Sequence, residues 1–148
     1  MCAAKIGTVK ILLAIDQSEF SDIATQALIG QFRPPETEVM VLNVVEEEEI
    51  LGWPLGWTEE QENRARELVA RSSQALRCAG FKVECTVCKG DAREAILGLA
   101  EEWQADLLVL GSRGHTALER FLLGSTSDAV MRYAHCSVEV VRPARRGD

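Results

Sequence analysis

A fully apolar run, Leu107 to Leu110, constrains the fold of this chain more than any other stretch. Consecutive apolar residues that end at a glycine are typical of a strand buried on both faces. Strands of this kind occur in parallel sheets whose two faces are covered by helices. The run therefore predicts a central strand of a parallel sheet, followed by a turn at Gly111.

A glycine pattern continues from this strand into a helix. It reads Gly111-x2-Gly114-x9-Gly124-Ser125, and a helical pattern runs from about Ser125 to Ala134. A strand, a glycine turn and a helix start form a geometry in which backbone N–H groups surround a phosphate. The glycines would let an anion come close and permit positive φ, and Ser125 or Thr126 would cap the helix and offer a hydroxyl to phosphate.

This pattern is neither of the two commonest phosphate loops. It has no Lys at the P-loop spacing after a glycine, and it is not GxGxxG. On spacing alone, an ordinary tight turn followed by a capped helix explains it equally well.

The rest of the chain alternates between strand-like and helix-like stretches. The other predicted strands are Thr8 to Ile15, Glu38 to Val45, Phe81 to Cys88 and Cys136 to Val141. Helical patterns lie between them, with predicted caps at Ser18, at Thr58 (a capping box with Gln61) and at Asp91, and Gly80 is predicted to end the second helix. Regular alternation predicts a parallel sheet with helices on both faces and right-handed crossovers, in one domain over residues 1–148.

Asp16 follows the first strand, just as Gly111 ends the fourth. If these two strand ends are neighbours, the sheet order is 3-2-1-4-5 and a crevice opens where the strand order reverses. A carboxylate there suits ribose hydroxyls, while backbone amides hold phosphates. The pairing of the two features predicts a nucleotide site.

Composition limits the classes of function. The chain has 148 residues, of which 47% are hydrophobic and only 5% aromatic, and its formal net charge is −7. An acidic protein is a poor match for nucleic acid or an anionic membrane. No apolar run approaches a membrane span, no signal peptide is evident, and five cysteines without a framework spacing predict a reduced, cytoplasmic protein.

Cys85-x2-Cys88 matches a redox or zinc pair in spacing only. It lies in an alternating, strand-like stretch, where residues three apart point to opposite faces of a sheet. No second such pair or clustered histidine completes a zinc site in the sequence. We therefore expect no protein-held metal here.

Four stretches resemble the universal stress proteins of the UspA superfamily, in their ATP-binding branch. They are ILLAIDQSEFS, VLNVV, KGDAREAIL and GSRGHTALERFLLGSTSDAVMRYAHCSVEVV, which span nearly the whole chain in the order typical of the family. The glycine pattern from Gly111 to Ser125 is the most specific of these matches. The resemblance implies a Rossmann-like, three-layer α/β sandwich of the adenine nucleotide alpha hydrolase-like type, with a five-stranded parallel sheet in the order 3-2-1-4-5.

The resemblance also implies site roles. Asp16 and Ala14 would lie near ribose and adenine, and Val44 would meet adenine through its backbone. The residues implied at the phosphates and ribose are Gly111, Ser112, Arg113, Gly114, Gly124, Ser125 and Thr126. ATP would be the cofactor, with Mg²⁺ or Mn²⁺ bound through the phosphates. Asn43 stands where the family usually has His, which we expect to be harmless because the neighbouring contact is from the valine backbone.

The family commonly dimerises through its last strand. Val138 and Val140 alternate with Glu139 on a predicted edge strand, and an unprotected edge invites pairing with another copy. We therefore expect a homodimer through Cys136 to Val141, with a downstream protein partner of unknown identity.

Candidates for catalysis are few. His115 lies inside the glycine pattern without an orienting partner, and His135 is expected at a helix end. Arg113 and Arg120 would either neutralise phosphate or lie on the surface. The favoured function is a nucleotide-dependent regulatory protein in the stress response. The alternatives are a slow ATPase or nucleotide transferase and a dimeric scaffold with a vestigial site.

The stretch between the second strand and the second helix is predicted to be a loop. It contains an acidic run, Glu46 to Glu49, which is expected to be a solvated face, and two tryptophans. Trp53 and Trp57 would either form a patch for a partner or, as the favoured alternative, fold back over the edge of the domain.

Overall fold

The computed structural model describes residues 7–112 and 123–143. Four residues discussed above, Arg113, Gly114, His115 and Arg120, lie outside the described residues. The described strands are β1 (Val9–Ile15), β2 (Thr37–Val45), β3 (Glu49–Ile50), β4 (Trp53–Pro54), β5 (Lys82–Lys89), β6 (Leu107–Gly111) and β7 (Ser137–Val141). The α-helices are α1 (Glu19–Gln31), α2 (Glu59–Cys78), α3 (Ala92–Glu102) and α4 (Ser125–Tyr133), with a 3₁₀ turn at Pro34–Glu36.

Five strands form one parallel sheet in the order β5-β2-β1-β6-β7. Counted without the short strands β3 and β4, this is the predicted order 3-2-1-4-5, which is therefore confirmed. The order reverses beside β1, so β1 and β6 are neighbours although nearly a hundred residues of sequence separate them.

Two hydrophobic clusters, one on each face of the sheet, explain why the central strands are mostly apolar. Ile11, Leu13 and Ile15 of β1 pack on one face with residues of α1 and α2. Leu12 and Ala14 pack on the other face with residues of α3 and α4. Because successive side chains of a strand alternate between faces, the stretch of β1 from Ile11 to Ile15, which packs against helices on both sides, is a continuous apolar run.

Several predicted helix signals are confirmed. The Thr58 side chain accepts from the Gln61 amide while the Gln61 side chain accepts from the Thr58 amide, which is the predicted capping box. Asp91 caps α3 by accepting from the Glu94 amide at 3.1 Å. Gly80, with φ of +98°, follows Ala79, the C-cap residue of α2, in the left-handed conformation that favours glycine.

The predicted cap of the helix after the glycine pattern is wrong. The cap of α4 is Gly124, with φ of −59° and ψ of 154°, and Ser125 and Thr126 are already helical. Neither Gly111 nor Gly124 has a positive φ; the described glycines that do are Gly52, Gly56, Gly80 and Gly90. The cap position requires extended backbone rather than a particular side chain, and glycine satisfies this requirement.

The predicted loop after β2 contains a small antiparallel hairpin of β3 and β4. Leu51 and Gly52 form its turn with φ of 52° and 79°, the backbone pattern of a two-residue hairpin turn. The sequence did not suggest it because Leu at a positive φ is rare.

Among the described residues, no helix is both long enough and apolar enough to cross a membrane.

Candidate functional site

A cleft of about 630 Å³ opens at the carboxyl ends of β1, β2 and β6. Ala14 pairs with Leu110 across β1 and β6, so Asp16 and Gly111 emerge side by side at this edge of the sheet. The predicted site residues that line the cleft are Ala14, Asp16, Val44, Gly111, Gly124, Ser125 and Thr126. The structure thus places the Asp16 carboxylate and the start of α4 in one cleft. From the sequence, this proximity could be inferred only by assuming that their strands are neighbours in the sheet.

Ser112 is placed differently from its predicted neighbours. It is buried, its amide donates to the Val141 carbonyl at 3.0 Å, and its own carbonyl accepts from the Gly124 amide at 2.9 Å. These bonds join the end of β6 to β7 and to the start of α4. Ser112 therefore holds the start of α4 against β6 and β7, and it is not among the cleft-lining residues.

Local hydrogen bonds hold the Asp16 carboxylate in one orientation. Its Oδ1 accepts from the Ser18 amide at 2.8 Å, from the Ser18 hydroxyl, and from the Ser21 hydroxyl at 2.9 Å. The Asp16 amide donates in turn to Ser21 Oγ at 2.7 Å. The hydrogen bonds described for residues 7–112 and 123–143 engage Oδ1 of this carboxylate rather than Oδ2.

The first turn of α4 supplies hydrogen-bond donors to the cleft. Ser127 donates its hydroxyl to the Gly111 carbonyl at 2.8 Å, which fixes the helix against the end of β6. The amide of Asp128 is the first to bond within the helix, to the Gly124 carbonyl. Amides before that point have no intrahelical partner, and with the helix dipole they favour an anion.

The end of β2 forms the wall of the cleft at Val44. The neighbouring residue, Asn43, is buried and donates its side-chain amide to the Ile15 carbonyl at 2.7 Å. This bond connects the ends of β1 and β2. Asn43 therefore has a structural role, and it also lines the cleft. The expectation that its departure from His is harmless stays a prediction.

The acidic run at the rim makes more contacts than a solvated face would. Glu46 Oε1 accepts from the Ala92 amide at 3.1 Å, at the start of α3, and Glu47 Oε1 accepts from the Gly56 amide at 2.8 Å. Arg64 and Arg93 also line the cleft. Sequence reasoning missed these four residues, because a run of like charges carries no signal of the backbone groups that it will meet.

The two strand cysteines do not form a paired site. Val83 and Val87 of β5 pack against one hydrophobic cluster and Cys88 against the other, so alternation places Cys85 and Cys88 on opposite faces. In the part of the chain that the structure describes, no group of three His, Cys, Asp or Glu residues is arranged to hold a metal ion. His135 lies exposed just beyond α4.

The two tryptophans behave differently. Trp57 is 40% exposed and donates Nε1 to the Val45 carbonyl at 3.0 Å, so it folds back onto the domain as expected. Trp53 is 77% exposed, and for this residue the expectation of folding back is wrong.

These features define a doubly wound α/β protein with a ligand cleft at the reversal of strand order. The sequence profile described as the universal stress protein family matches residues 8–142. The chain therefore belongs to the universal stress protein family.

Individual relatives agree with the family match. A universal stress protein of Methanocaldococcus jannaschii is 30% identical over 142 residues, covering 93% of this chain and 84% of that protein. A putative universal stress protein of Staphylococcus aureus is 31% identical over 137 residues, covering 89% and 82% of the two chains. The solved structure of the hypothetical protein MJ0577 has a TM-score of 0.76 at 30% identity, covering 94% and 99%.

More distant solved structures share the fold and contain nucleotides. One is a universal stress protein family protein of Arabidopsis thaliana with AMP bound, at a TM-score of 0.65, 14% identity and 92% coverage of both chains. Another is the universal stress protein of Archaeoglobus fulgidus in complex with dAMP, at a TM-score of 0.67, 20% identity and coverage of 90% and 96%.

Proposed function

We propose that this chain is a nucleotide-dependent regulatory protein that binds ATP in the cleft between β1 and β6. The observation that carries the proposal is that Asp16 and the first turn of α4 open into the same cleft. A carboxylate oxygen at one wall and backbone amides at another match the two ends of a nucleoside phosphate.

Each group has a chemical role in this proposal. Asp16 Oδ2 accepts from the ribose hydroxyls, because Oδ1 is already engaged by Ser18 and Ser21. The backbone at Val44 meets adenine. The amides and hydroxyls of Ser125 and Thr126 hold the phosphates, together with Arg113 and Gly114, and Mg²⁺ or Mn²⁺ comes with the phosphates. Family membership and the adenine nucleotides in distant relatives support this assignment.

The regulatory part of the proposal includes self-association. Among the described strands, β7 is the last in the sheet order, and the described structure pairs it only with β6. A second copy pairing along Cys136 to Val141 would extend the sheet. Nucleotide occupancy would then bias a dimer state that a partner protein recognises.

The first experiment identifies the ligand. Freshly purified protein is denatured, and the released small molecules are analysed by mass spectrometry, followed by calorimetry of the emptied protein with ATP, ADP and AMP. We expect ATP among the released molecules and ATP binding in calorimetry. Protein that releases no nucleotide and binds none would instead be a scaffold with a vestigial site, and steady phosphate release from ATP would indicate an enzyme.

A matched pair of variants tests the role of Asp16. Asp16→Asn removes the charge but keeps an oxygen for the Ser18 and Ser21 donors, so the fold should persist while nucleotide affinity falls about tenfold or more, as for a charge-assisted hydrogen bond. Asp22→Asn, on the exposed surface of α1 where Asp22 lies 3.7 Å from Arg71, is the control. Equal nucleotide affinity in both variants would show that Asp16 does not contact the nucleotide.

A further inference from the structure

The hairpin of β3 and β4 exposes apolar side chains that do not line the proposed nucleotide cleft. The exposed fractions are 59% for Ile50, 94% for Leu51, 77% for Trp53 and 54% for Leu55. Single exposed apolar residues are ordinary, but a contiguous set on one small element is typical of an interaction surface. We call these four residues the hairpin patch.

The geometry of the hairpin gathers these residues. Ile50 and Trp53 are cross-strand partners, and the Leu55 amide donates to the Glu48 carbonyl at 2.8 Å, which extends the ladder by one pair. Because side chains alternate along a strand, Ile50, Trp53 and Leu55 stand on the same face. Leu51 forms the tip.

The tip is strained without a packing gain. Leu51 has a φ of 52°, a left-handed conformation that is unfavourable for any residue with a β-carbon, yet its side chain is almost fully exposed. Stability alone would favour Gly or Asn at this position. A leucine that is both strained and exposed therefore indicates that its side chain contacts another molecule.

The hairpin patch stands on a fixed base. Glu47 Oε1 accepts from the Gly56 amide, and Trp57 donates to the Val45 carbonyl. Lys89 Nζ lies 5.7 Å from the centre of the Trp57 ring and also pairs with Glu62. A surface that is already ordered loses less conformational entropy when a partner binds.

The charge around the hairpin patch selects the partner. Seven glutamates flank it in the sequence: Glu46, Glu47, Glu48, Glu49, Glu59, Glu60 and Glu62. Glu60 and Glu62 pair with basic residues of the same region, whereas no described basic residue forms an ion pair with Glu48, Glu49 or Glu59. The same hairpin of a second copy, or an anionic lipid surface, would meet like charge here.

We propose that the hairpin patch docks a basic segment of a partner protein, in which lysine or arginine side chains surround aliphatic or aromatic anchors. The anchors are buried against Ile50, Leu51 and Trp53, and the cations approach Glu48, Glu49 and Glu59. This inference does not depend on the nucleotide proposal, because none of the patch residues lines the cleft.

The test measures binding of a defined probe to the full chain. The probe is a fluorescein-labelled amphipathic helical peptide of Leu and Lys, and its charge control has Glu in place of Lys; binding is followed by fluorescence anisotropy. We expect the Lys peptide to bind with an affinity that falls as salt is added, and the Glu peptide not to bind.

Matched variants localise the binding. Trp53→Ser and Leu51→Gly should each lower the affinity for the Lys peptide about tenfold, as for residues at the centre of an interface. The glycine keeps the turn, so its effect is not a loss of fold. Tyr133→Ser is the control, since Tyr133 is 74% exposed at the end of α4 remote from the cleft. Glu49→Lys should also lower the affinity for the Lys peptide, whereas Glu102→Lys, on the exposed end of α3, should leave it unchanged.

Three outcomes would overturn the proposal. One is equal peptide affinity in Trp53→Ser and Tyr133→Ser proteins of matched thermal stability. Another is a dimer in sedimentation that Trp53→Ser dissolves, which would make a second copy the occupant. The third is binding of the parent chain to phosphatidylserine vesicles that Trp53→Ser abolishes.

Discussion

Gly111 and Phe20 approach so closely that a β-carbon on Gly111 would lie 2.7 Å from the Phe20 β-carbon and 2.9 Å from its carbonyl oxygen. The first turn of α1 thus packs directly onto the end of β6. Because one of the obstructing atoms belongs to the backbone, rotation of a side chain cannot relieve the contact. Packing of α1 is therefore sufficient to require glycine at this position, whatever occupies the cleft.

We expect Gly111→Ala to lower the free energy of unfolding by about 1–3 kcal/mol, the range for an overpacked site. Denaturant unfolding of the apo protein measures it. Gly98→Ala is the control, because a β-carbon on Gly98 in α3 would meet no atom within 4 Å. Alanine there should be neutral or stabilising by up to about 1 kcal/mol through helix propensity. An apo Gly111→Ala protein as stable as the parent would contradict the packing role.

A buried hydroxyl in α2 offers a way to stabilise the protein. Ser73 is fully buried, and among the described residues its Oγ is the buried side-chain atom without a hydrogen-bond partner. Ser73→Ala removes the unsatisfied group, so we expect the free energy of unfolding to rise by about 1 kcal/mol or more. Gln74→Ala, an exposed neighbour on the same helix, controls for helix propensity, which accounts for a few tenths of a kcal/mol at most. A loss of stability in Ser73→Ala would mean that the hydroxyl has a partner after all.

The cap of α3 predicts a dependence of stability on pH. The bond from the Glu94 amide, and then Arg93, lower the pKa of Asp91 from its ordinary value of 3.8. A lowered folded-state pKa gives stability that is complete above the unfolded value and is lost as pH falls through the folded value. We expect Asp91→Ala to cost about 1 kcal/mol at pH 7, as for other caps.

Unfolding at a series of pH values checks this prediction. The difference between the parent and Asp91→Ala should shrink below about pH 4, where the aspartate of the unfolded chain begins to accept a proton while the folded one still resists it. Asp91→Asn, which caps without titrating, should retain most of the stability at pH 7. A parent–alanine difference that is the same at pH 3 and pH 7 would show that the charge contributes nothing.

The sequence predicts a parallel sheet because apolar strands and amphipathic helices alternate regularly, and the sheet order 3-2-1-4-5 follows if the strands that end at Asp16 and Gly111 are neighbours, as the family resemblance also implies. Chain topology then requires Asp16 and Gly111 to lie at the same edge once their strands are neighbours. Gly124 belongs to the glycine pattern that the residues themselves show, whereas Ala14 and Val44 were expected at the site only because of the family resemblance; all three line the cleft. Periodicity and topology act over whole elements, which is why they can be inferred from one sequence.

What the sequence does not predict depends on single tertiary contacts. The close approach of Phe20 to Gly111 and the bond from Ala92 to Glu46 join residues that are remote in the chain. The hairpin turn at Leu51 contradicts local propensity, so no rule based on residue preference would find it. The family resemblance places Ser112 among the residues that contact the phosphates and ribose. In the structure Ser112 is buried, and its backbone bonds to Val141 and Gly124 form only in the folded sheet.

Gly124 allows the phosphate end of the proposed site to be tested without disturbing the fold. Its φ of −59° and ψ of 154° are accessible to any residue, and its amide donates to the Ser112 carbonyl at 2.9 Å, a bond that valine keeps. Since Gly124 lines the cleft next to the first turn of α4, we expect Gly124→Val to weaken ATP binding about tenfold or more, a cost within the range for overpacking.

Calorimetry with two nucleotides sharpens the test of Gly124. AMP has fewer phosphates near α4 than ATP, so its affinity should fall less than that of ATP in Gly124→Val. Gly30→Val is the control, because Gly30 lies near the end of α1 and a β-carbon there would meet no atom within 4 Å. If Gly124→Val protein folds normally and binds ATP like the parent, the phosphates do not lie at the start of α4. Equal losses for ATP and AMP would place the side chain's effect at the nucleoside or the α-phosphate, because the two ligands differ only in the β- and γ-phosphates.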